Sequence, residues 1–489
     1  MSMTDTVEYN GITLHKQSEY VWEITQTGEM RSPARVFASE KLLSEIGDDD
    51  TLQQLVNATH LPGITKYAIC MPDGHQGYGF PVGGVGAMDT TDGCISPGAV
   101  GFDINCGVRM MRTNLSYSDV EGREKALVNR LFETIPSGLG GGGVISGDRK
   151  TVEAILTDGM KWALANGYAT PDDLSHCEDG GWRPDAAPEH VSEKAKNRGE
   201  KQIGSLGSGN HFLEVQRVTD IYRDDVAAAF GLQPEQIVVL IHCGSRGLGH
   251  QICSDYVRKI EKGHPELLAA LPDKELAAAP AGSELATAYY GAMCAAINFA
   301  WVNRQVIMHQ TRQVFAEIFD QSPQALEMEL LYDVAHNIAK KEVHTVNGRD
   351  RELYVHRKGA TRAFPAGRKE VPEAYRTVGQ PIIIPGSMGT GSYILRGGEN
   401  SLALSFGSTA HGAGRVMSRT QAKKQFWGET VRDELEETQH VYVKAQSGAT
   451  VAEEAPGVYK DVDEVVRVSD ALGIGDTVAR TFPVCNIKG

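Results

Sequence analysis

A carboxylate and a thiol three positions apart offer the clearest chemistry in this 489-residue chain. Asp103 and Cys106 lie in the segment 101–107 (GFDINCG). Three histidines, His211, His242 and His336, each stand near a glycine, an asparagine or a carboxylate that could position the ring. Oxygen, sulfur and nitrogen donors together are typical of a transition-metal site, for Mn²⁺ or Zn²⁺, rather than a site for Ca²⁺ or Mg²⁺. The residue types therefore predict a metal centre.

Two later segments could handle a phosphate-bearing substrate. Residues 382–392 (IIIPGSMGTGS) predict a strand that enters a loop rich in backbone N–H groups and hydroxyls, which suits phosphate oxygens. His411 lies among small residues, so a substrate could approach its ring, which could act as a ligand, a base or a nucleophile. The chain has neither a GxxxxGK[ST] loop nor a Lys-x-Asp-Gly segment. If a nucleotide is held covalently, histidine is the available nucleophile.

The elements that must position these groups are both helices and strands. Apolar spacing predicts strands at 20–24, 237–241 and 381–384, and helices at 40–46, 151–165, 285–319, 430–445 and 465–478. The order shows no regular βαβ alternation. Residues 285–302 reach the length of a membrane span, but Tyr289, Tyr290 and Asn298 interrupt them and favour a buried helix. We predict an α+β fold in one large catalytic unit, residues 1–489, that does not enter a membrane.

Charge and cysteine content narrow the class of protein. The formal net charge of −15 argues against a generic nucleic-acid coat protein, yet it allows a local basic groove that includes Arg246, Arg415 and Arg419. Eight cysteines without a CxxC spacing predict neither a disulfide framework nor a structural zinc motif. The first residues lack a basic region followed by an apolar core, so no secretory signal is expected. A reducing, cytoplasmic location follows.

A series of motifs gives the chain a family resemblance. They are PDGHQGYGFPVGG, GFDINCGVR, GSLGSGNHFLEV, HCGSRGLGH, DVAHNIAKKE, HRKGATRAFP, IIIPGSMGTGSY, STAHGAGR and a terminal Lys-Gly. In this order, and over nearly the whole chain, they resemble the RNA-splicing ligase RtcB family. Members of that family use GTP and Mn²⁺ to join an RNA 3′-phosphate or 2′,3′-cyclic phosphate to a 5′-hydroxyl. The resemblance implies an RtcB-like fold and an RNA substrate, such as tRNA halves or broken RNA ends.

The resemblance also implies roles for individual residues. Two Mn²⁺ ions would be held by Asp103, Cys106, His211, His242 and His336, with the Cys106 thiolate bridging them. His411 would be the nucleophile that takes GMP. Arg246, Arg415 and Arg419 would hold RNA phosphates. The guanylate would contact Asn210, His211, Phe212, Leu213, Glu214, His336, Asn337, Pro385, Gly386, Ser387, Met388, Ser392, His411, Gly412, Ala413, Gly414, Tyr459 and Lys488.

The implied reaction passes through a histidine–GMP intermediate and an RNA(3′)pp(5′)G end, in tRNA splicing, RNA repair or both. Glu214 and Lys488 would offer an acceptor and a donor to the guanine edge, which would favour GTP over ATP. The first alternative is a metal-dependent RNA cyclic phosphodiesterase or phosphatase without a covalent nucleotide. The second is a non-catalytic RNA-binding component. The resemblance leaves open whether an archease-type activating protein is a partner.

Overall fold

Two eight-stranded sheets organise the part of the chain that the computed structural model describes, residues 6–138 and 142–489. Residues 1–5 lie outside the described part of the chain. They begin the N-terminal segment that is expected to lack a secretory signal. The strands are β1 Thr6–Tyr9, β2 Ile12–Ser18, β3 Val21–Ile24, β4 Ala34–Phe37, β5 Ala68–His75, β6 Val82–Asp89, β7 Cys94–Ile95, β8 Gly107–Ser116, β9 Phe212–Ile221, β10 Gln236–Cys243, β11 Ala279–Pro280, β12 Glu329–Ala335, β13 Asn337–Val346, β14 Arg349–Lys358, β15 Ala360–Arg362, β16 Pro381–Ile384, β17 Ser392–Gly397, β18 Ser408–Ala410, β19 Tyr442–Ala445 and β20 Gly475–Lys488.

Helices cover these sheets and join their strands. The α-helices are α1 Glu40–Gly47, α2 Thr51–Ala58, α3 Tyr117–Val120, α4 Glu124–Thr134, α5 Arg149–Asp158, α6 Met160–Ala165, α7 Pro171–Ser175, α8 Glu193–Gly199, α9 Asp224–Phe230, α10 Arg246–Gly263, α11 Pro265–Ala269, α12 Glu284–Phe319, α13 Ser401–Ser405, α14 Arg419–Gln425, α15 Gly428–Gln439, α16 Gly448–Glu453 and α17 Val462–Ala471. The mixture of sheets and helices confirms the predicted α+β class.

The first sheet has the order β1-β2-β3-β4-β5-β6-β14-β13, and the second has the order β12-β8-β10-β9-β20-β17-β16, with β19 paired to β20. Neighbours in both sheets are antiparallel except β4 with β5 and β19 with β20. Two short pairs, β7 with β11 and β15 with β18, complete the described strands. In the second sheet β8 and β9 therefore begin at the edge where β10 and β12 end.

The burial of strand β10 on both faces explains why its sequence is one continuous apolar run. Val239 and Ile241 pack into a core that α12 shares, whereas Val238 and Leu240 enter a second core on the opposite face of the sheet. Successive side chains of a strand point to opposite faces, so a strand that is covered on both sides needs apolar residues at every position. This burial fixes the strand that carries His242.

The 36-residue helix α12 is the longest in the described chain. By length and composition it could cross a membrane, but 83% of its most apolar window is buried inside the protein. Its burial agrees with the interpretation of residues 285–302 as a core helix. Polar residues Asn303, Arg304 and Gln305 are also fully buried in its middle, so the helix brings hydrogen-bonding groups into the core as well as apolar ones.

Three predicted helices differ from those in the structure. The helix predicted at 151–165 is interrupted at Gly159, whose φ of +52° separates α5 from α6. The helix predicted at 430–445 ends at Gln439, because His440 is left-handed and residues 442–445 pair with the end of β20. The helix predicted at 465–478 ends at Ala471, and Val478 belongs to β20. In the last two cases tertiary strand pairing overrides an apolar spacing that suits a helix.

Candidate active site

The candidate metal donors meet at one edge of the second sheet. Cys106 immediately precedes β8, His211 immediately precedes β9, His242 lies near the end of β10, and His336 immediately follows β12. The register places His242 opposite both Val108 and Phe212. Antiparallel pairing therefore brings two strand starts and two strand ends together, and it gathers residues that lie far apart in the chain.

The donor atoms form two overlapping groups. Cys106, His242 and His336 make one group, and Asp103, Cys106 and His211 make the other. The Cys106 Sγ lies 3.3 Å from His242 Nε2 and 3.4 Å from His211 Nε2. His242 Nε2 lies 3.2 Å from His336 Nε2, and His211 Nε2 lies 2.8 Å from Asp103 Oδ2. Cys106 is thus the residue shared by two sets of converging donors.

The separations between these donor atoms are suited to the coordination of a pair of transition-metal ions. Donor atoms about 2.1 Å from a tetrahedrally coordinated ion lie about 3.4 Å from one another. The Nε2 atoms of His242 and His336 face each other, whereas their Nδ1 atoms are buried without a hydrogen-bond partner in the described chain. A convergent set of sulfur, nitrogen and oxygen atoms is the donor set expected for Mn²⁺ or Zn²⁺.

The protonation of the donors follows from their burial. Burial lowers the pKa of His242 and His336 well below the usual range, which keeps each ring neutral, as a metal ligand must be. Burial acts on His211 in the same direction, but the sulfurs of Cys243 and Cys106 and the Asp103 carboxylate raise its pKa well above normal. Burial raises the pKa of Cys106 to about 11. Cation binding would therefore release protons from this edge of the sheet.

His411 lies beside the metal donors at the end of β18. Its ring centroid is 4.8 Å from that of His336. The Nδ1 atom lies 2.6 Å from Oδ2 of Asp73, a fully buried carboxylate in β5. The same oxygen accepts the backbone N–H groups of His411 and Gly412. The carboxylate thus fixes the ring and leaves Nε2 as the ring nitrogen that can react.

A cavity of about 350 Å³ joins the predicted nucleophile to part of the metal donor set. Its lining comes from both sheets and from the loops that follow β16 and β18. The residues singled out from the sequence that line it are Asn210, Phe212, His242, His336, Asn337, Pro385, Gly386, His411, Gly412, Ala413, Gly414, Arg415, Arg419, Tyr459 and Lys488. Most of the predicted nucleotide contacts therefore share one enclosed space.

Besides His211, which is one of the candidate metal donors, five predicted nucleotide contacts do not line this cavity. Leu213 and Met388 lie in apolar cores. The Glu214 carboxylate is buried and accepts hydrogen bonds from Gln216 and Asn486. Gln216 also donates to Ser392, and Ser387 bonds to Thr390 in its own loop. Burial raises the pKa of Glu214 to about 7. A direct contact of these five residues with a nucleotide stays a prediction.

Two of the three predicted RNA-binding arginines lie around a second cavity of about 720 Å³, which Asp103 and His211 also line. Arg246 and Arg419 line it, and half of the Arg419 side chain is exposed. Arg415 instead lines the smaller cavity, where it pairs with the buried Glu454 at 3.1 Å. Arginine side chains can bind phosphate groups, so these residues stay the predicted contacts of RNA phosphates in an acidic protein.

Two residues of the site were not assigned a role from the sequence. Asp73 lies in the motif PDGHQGYGFPVGG, but nothing in its spacing relates it to His411, which is 338 positions away. Lys358 lies in HRKGATRAFP and lines the cavity of about 350 Å³, where its amino group donates to the Gly98 carbonyl at 3.0 Å. A charged residue inside each of these motifs was the available signal.

Comparisons with known proteins show the family of this chain. The model of a family described as tRNA-splicing ligase RtcB matches residues 54–489. A tRNA-splicing ligase RtcB of Thermococcus kodakarensis is 52% identical over 98% of this chain and 99% of its own length. The proteins of the same name from Archaeoglobus fulgidus and Aeropyrum pernix are 48% and 50% identical, over 97% and 96% of this chain and 99% and 98% of their own. The chain belongs to the tRNA-splicing ligase RtcB family.

Proposed function

We propose that this chain is an RNA ligase that uses GTP and Mn²⁺ to join an RNA 3′-phosphate or 2′,3′-cyclic phosphate to a 5′-hydroxyl. Family membership supports the ligase activity, and the name of the relatives supports tRNA halves as one substrate. The contact between His411 and Asp73, beside two groups of candidate metal donors, is the observation that carries the covalent mechanism.

In the first step His411 would form a bond to GMP. Asp73 holds the proton on Nδ1, so the lone pair on Nε2 attacks the α-phosphorus of GTP. The N–P bond forms as the bond between the α-phosphorus and the bridging oxygen breaks, and pyrophosphate leaves. Asp103, Cys106, His211, His242 and His336 would hold two Mn²⁺ ions, which would supply electrostatic stabilisation of the phosphoryl groups.

The second and third steps would use the RNA ends. An oxygen of the RNA 3′-phosphate attacks the phosphorus of the histidine-bound GMP and breaks the N–P bond, which gives an RNA(3′)pp(5′)G end. The 5′-hydroxyl then attacks the RNA 3′-phosphorus, loses its proton and expels GMP. A cyclic phosphate is first opened by water. Arg246 and Arg419 lie where they could hold the RNA phosphates during both steps.

The guanine base would lie toward Lys488 and Tyr459. The Lys488 ammonium lies 4.7 Å from the centre of the Phe212 ring and lines the cavity. Tyr459 also lines the cavity, with Arg415 5.3 Å from its ring centre. The Lys488 ammonium and the Tyr459 ring would bind the base. Glu214, which does not line the cavity, would be the acceptor for the guanine edge. A cytoplasmic location and an archease-type activating partner complete the proposal.

RNA joining tests this function against the hydrolase alternative. We would incubate the purified protein with Mn²⁺, GTP, an RNA ending in a 3′-phosphate and an RNA beginning with a 5′-hydroxyl. The proposal predicts a joined product for the wild type and none for His411→Ala, which should still bind Mn²⁺. Removal of the terminal phosphate without joining, at equal rates in both proteins, would instead support a phosphatase.

A further inference from the structure

Arg304 lies in the middle of α12, fully buried, and uses every donor of its guanidinium. Nε and Nη2 each donate to the Asp333 carboxylate at 2.8 Å. Nη1 donates to the backbone carbonyls of Asn105 and Cys243, both at 2.7 Å. Nη2 also donates to Asn105 Oδ1 at 3.2 Å. An arginine has five N–H donors in a rigid fork, so this environment leaves none free.

The two carbonyls belong to the neighbours of metal donors. Asn105 directly precedes Cys106, and Cys243 directly follows His242. Asn105 is also left-handed, with φ +53°, a conformation that costs a non-glycine residue free energy unless its surroundings hold it. Arg304 binds both the carbonyl and the side chain of this residue. It therefore holds the backbone at Asn105 and so positions the Cys106 sulfur at the edge of the second sheet.

Asn303, the preceding residue of α12, makes the corresponding contacts with the His211 side of the site. Its Oδ1 accepts the backbone N–H groups of Gly204 and Ser205 at 2.8 and 3.0 Å. Its Nδ2 lies 3.1 Å from the Ser205 carbonyl and 3.2 Å from the Gly244 carbonyl. The loop at 204–205 leads to His211, and Gly244 lies two residues beyond His242.

We propose that Asn303 and Arg304 are positioning residues of the metal centre. They hold the segments that carry Cys106, His211 and His242 at the separations at which the donor atoms converge. This inference rests on the proposed metal site. It assigns the pair a role beyond stability, because metal-site partners that orient ligands set affinity through the geometry of the donors.

Arg109 provides a matched control for Arg304. It is equally buried and donates to the same Asp333 carboxylate at 2.7 Å. Its other contacts are with Gln305 and Met308, not with the segments that carry the donors. Arg109→Lys and Arg304→Lys each keep the positive charge beside Asp333, and both should lower the midpoint of unfolding. A merely structural role would make the two variants alike in metal binding.

The experiment measures Mn²⁺ binding and urea unfolding of the wild-type protein, Arg304→Lys and Arg109→Lys. We expect Arg304→Lys to bind Mn²⁺ about tenfold to a hundredfold more weakly than the wild type, and Arg109→Lys to bind it as the wild type does. Equal Mn²⁺ affinities in all three proteins would overturn the inference alone. Absence of Mn²⁺ binding by the wild type would overturn the proposed metal site and the inference with it.

An uncharged pair keeps the test decisive if Arg304→Lys does not fold. Asn303→Ala removes the contacts with the loop before His211 without leaving a buried charge. Asn298→Ala removes an equally buried asparagine of α12, whose side chain bonds instead to the Leu156 carbonyl and the Arg183 N–H. We expect weaker Mn²⁺ binding only in Asn303→Ala. Unchanged binding in Asn303→Ala, or an equal loss in Asn298→Ala, would contradict the positioning role.

Discussion

Asp73 and His411 show how a single contact selects the reactive atom of a side chain. Burial would raise the pKa of Asp73, but the His411 ring and its hydrogen bonds hold that pKa below the usual range. The carboxylate is therefore charged and accepts a hydrogen bond from Nδ1–H. This arrangement resembles the general use of a buried carboxylate to hold a catalytic imidazole in one tautomer. Asp73, a residue of the first sheet, would thus set the nucleophilic character of Nε2.

The variant Asp73→Asn tests this relation. The substitution keeps the size of the side chain, but the new amide could donate to Nδ1 and move the ring proton to Nε2. We expect the rate of GMP transfer to the protein to fall by roughly 10²- to 10⁴-fold, with Mn²⁺ binding unchanged. Rapid mixing with α-labelled GTP measures the rate. A variant that is guanylated at the wild-type rate would show that Asp73 does not orient His411.

Lys358 gives a dependence of stability on pH. Burial lowers its pKa to about 7 in the folded protein, whereas an unfolded lysine has a pKa of about 10.4. Between these pH values the unfolded chain binds a proton that the folded chain has released, so stability rises with pH. The unfolding free energy of the wild type minus that of Lys358→Met should therefore rise by up to about 1.4 kcal/mol per pH unit in this range.

Denaturant unfolding at several pH values from neutral to alkaline measures this difference. The exposed lysine of α14, Lys424, provides the control, because Lys424→Met removes a charge that stays in water in both states. Its difference from the wild type should not change with pH over the same range. A Lys358→Met difference that is equally flat would mean that the folded lysine keeps an ordinary pKa.

At the scale of elements, the loop after β18 must approach β5 closely. Gly414 has φ +76°, and a Cβ atom there would lie 2.2 Å from the Asp73 carbonyl oxygen. Gly412 has room for one, since its nearest neighbour would be the Pro385 carbonyl at 3.6 Å. The two glycines flank Ala413 and line the same cavity. Only at Gly414 do the backbone conformation and the contact with β5 require a glycine.

Alanine substitutions at these two glycines should therefore differ. Gly414→Ala should lose at least about 1–2 kcal/mol of unfolding free energy from its left-handed backbone, and it should lose GMP transfer because Asp73 is displaced. Gly412→Ala should keep its stability. Chemical denaturation and GMP labelling of both variants measure the effects. Equal behaviour of the two variants would contradict the proposed close approach of the loop to β5.

Much of the element content could be predicted from the sequence, whereas the pairing of the elements could not. The apolar spacing of α12 and the apolar run of β10 each reflect burial, and both were predicted correctly. The spacing at 430–445 could not reveal that residues 442–445 pair with β20. Likewise the donor residue types could be recognised, but their convergence depends on the register of four strands. Asp73 was missed because its partner follows a strand that pairs elsewhere.

At the scale of the molecule, the candidate active site lies where the two sheets meet. The metal donors belong to the second sheet, whereas Asp73 and Lys358 belong to the first. His411 follows β18, which pairs with β15 just after the end of β14. The formal net charge of −15 is thus compatible with an RNA substrate, because Arg246, Arg415 and Arg419 lie at this junction. RNA affinity should depend on these few cations.

The salt dependence of RNA binding tests the role of Arg246. Each phosphate contact with a single strand adds about 0.7 to the slope of log affinity against log salt concentration. Arg246→Gln should therefore lower that slope by about 0.7. Arg467→Gln should not, because Arg467 lies on α17 and pairs with Glu464. Fluorescence anisotropy with a 3′-phosphorylated RNA measures both slopes. An unchanged slope in Arg246→Gln would remove this residue from the RNA site.

Formation of a covalent GMP adduct tests the central claim most directly. The protein would be incubated with Mn²⁺ and α-labelled GTP, then denatured and separated on a gel beside His411→Ala and a labelled ATP control. We predict label only on the wild-type protein with GTP, and its loss in acid, as expected for a phosphoramidate. Label retained by His411→Ala, or none on a wild-type protein that joins RNA, would contradict the histidine–GMP mechanism.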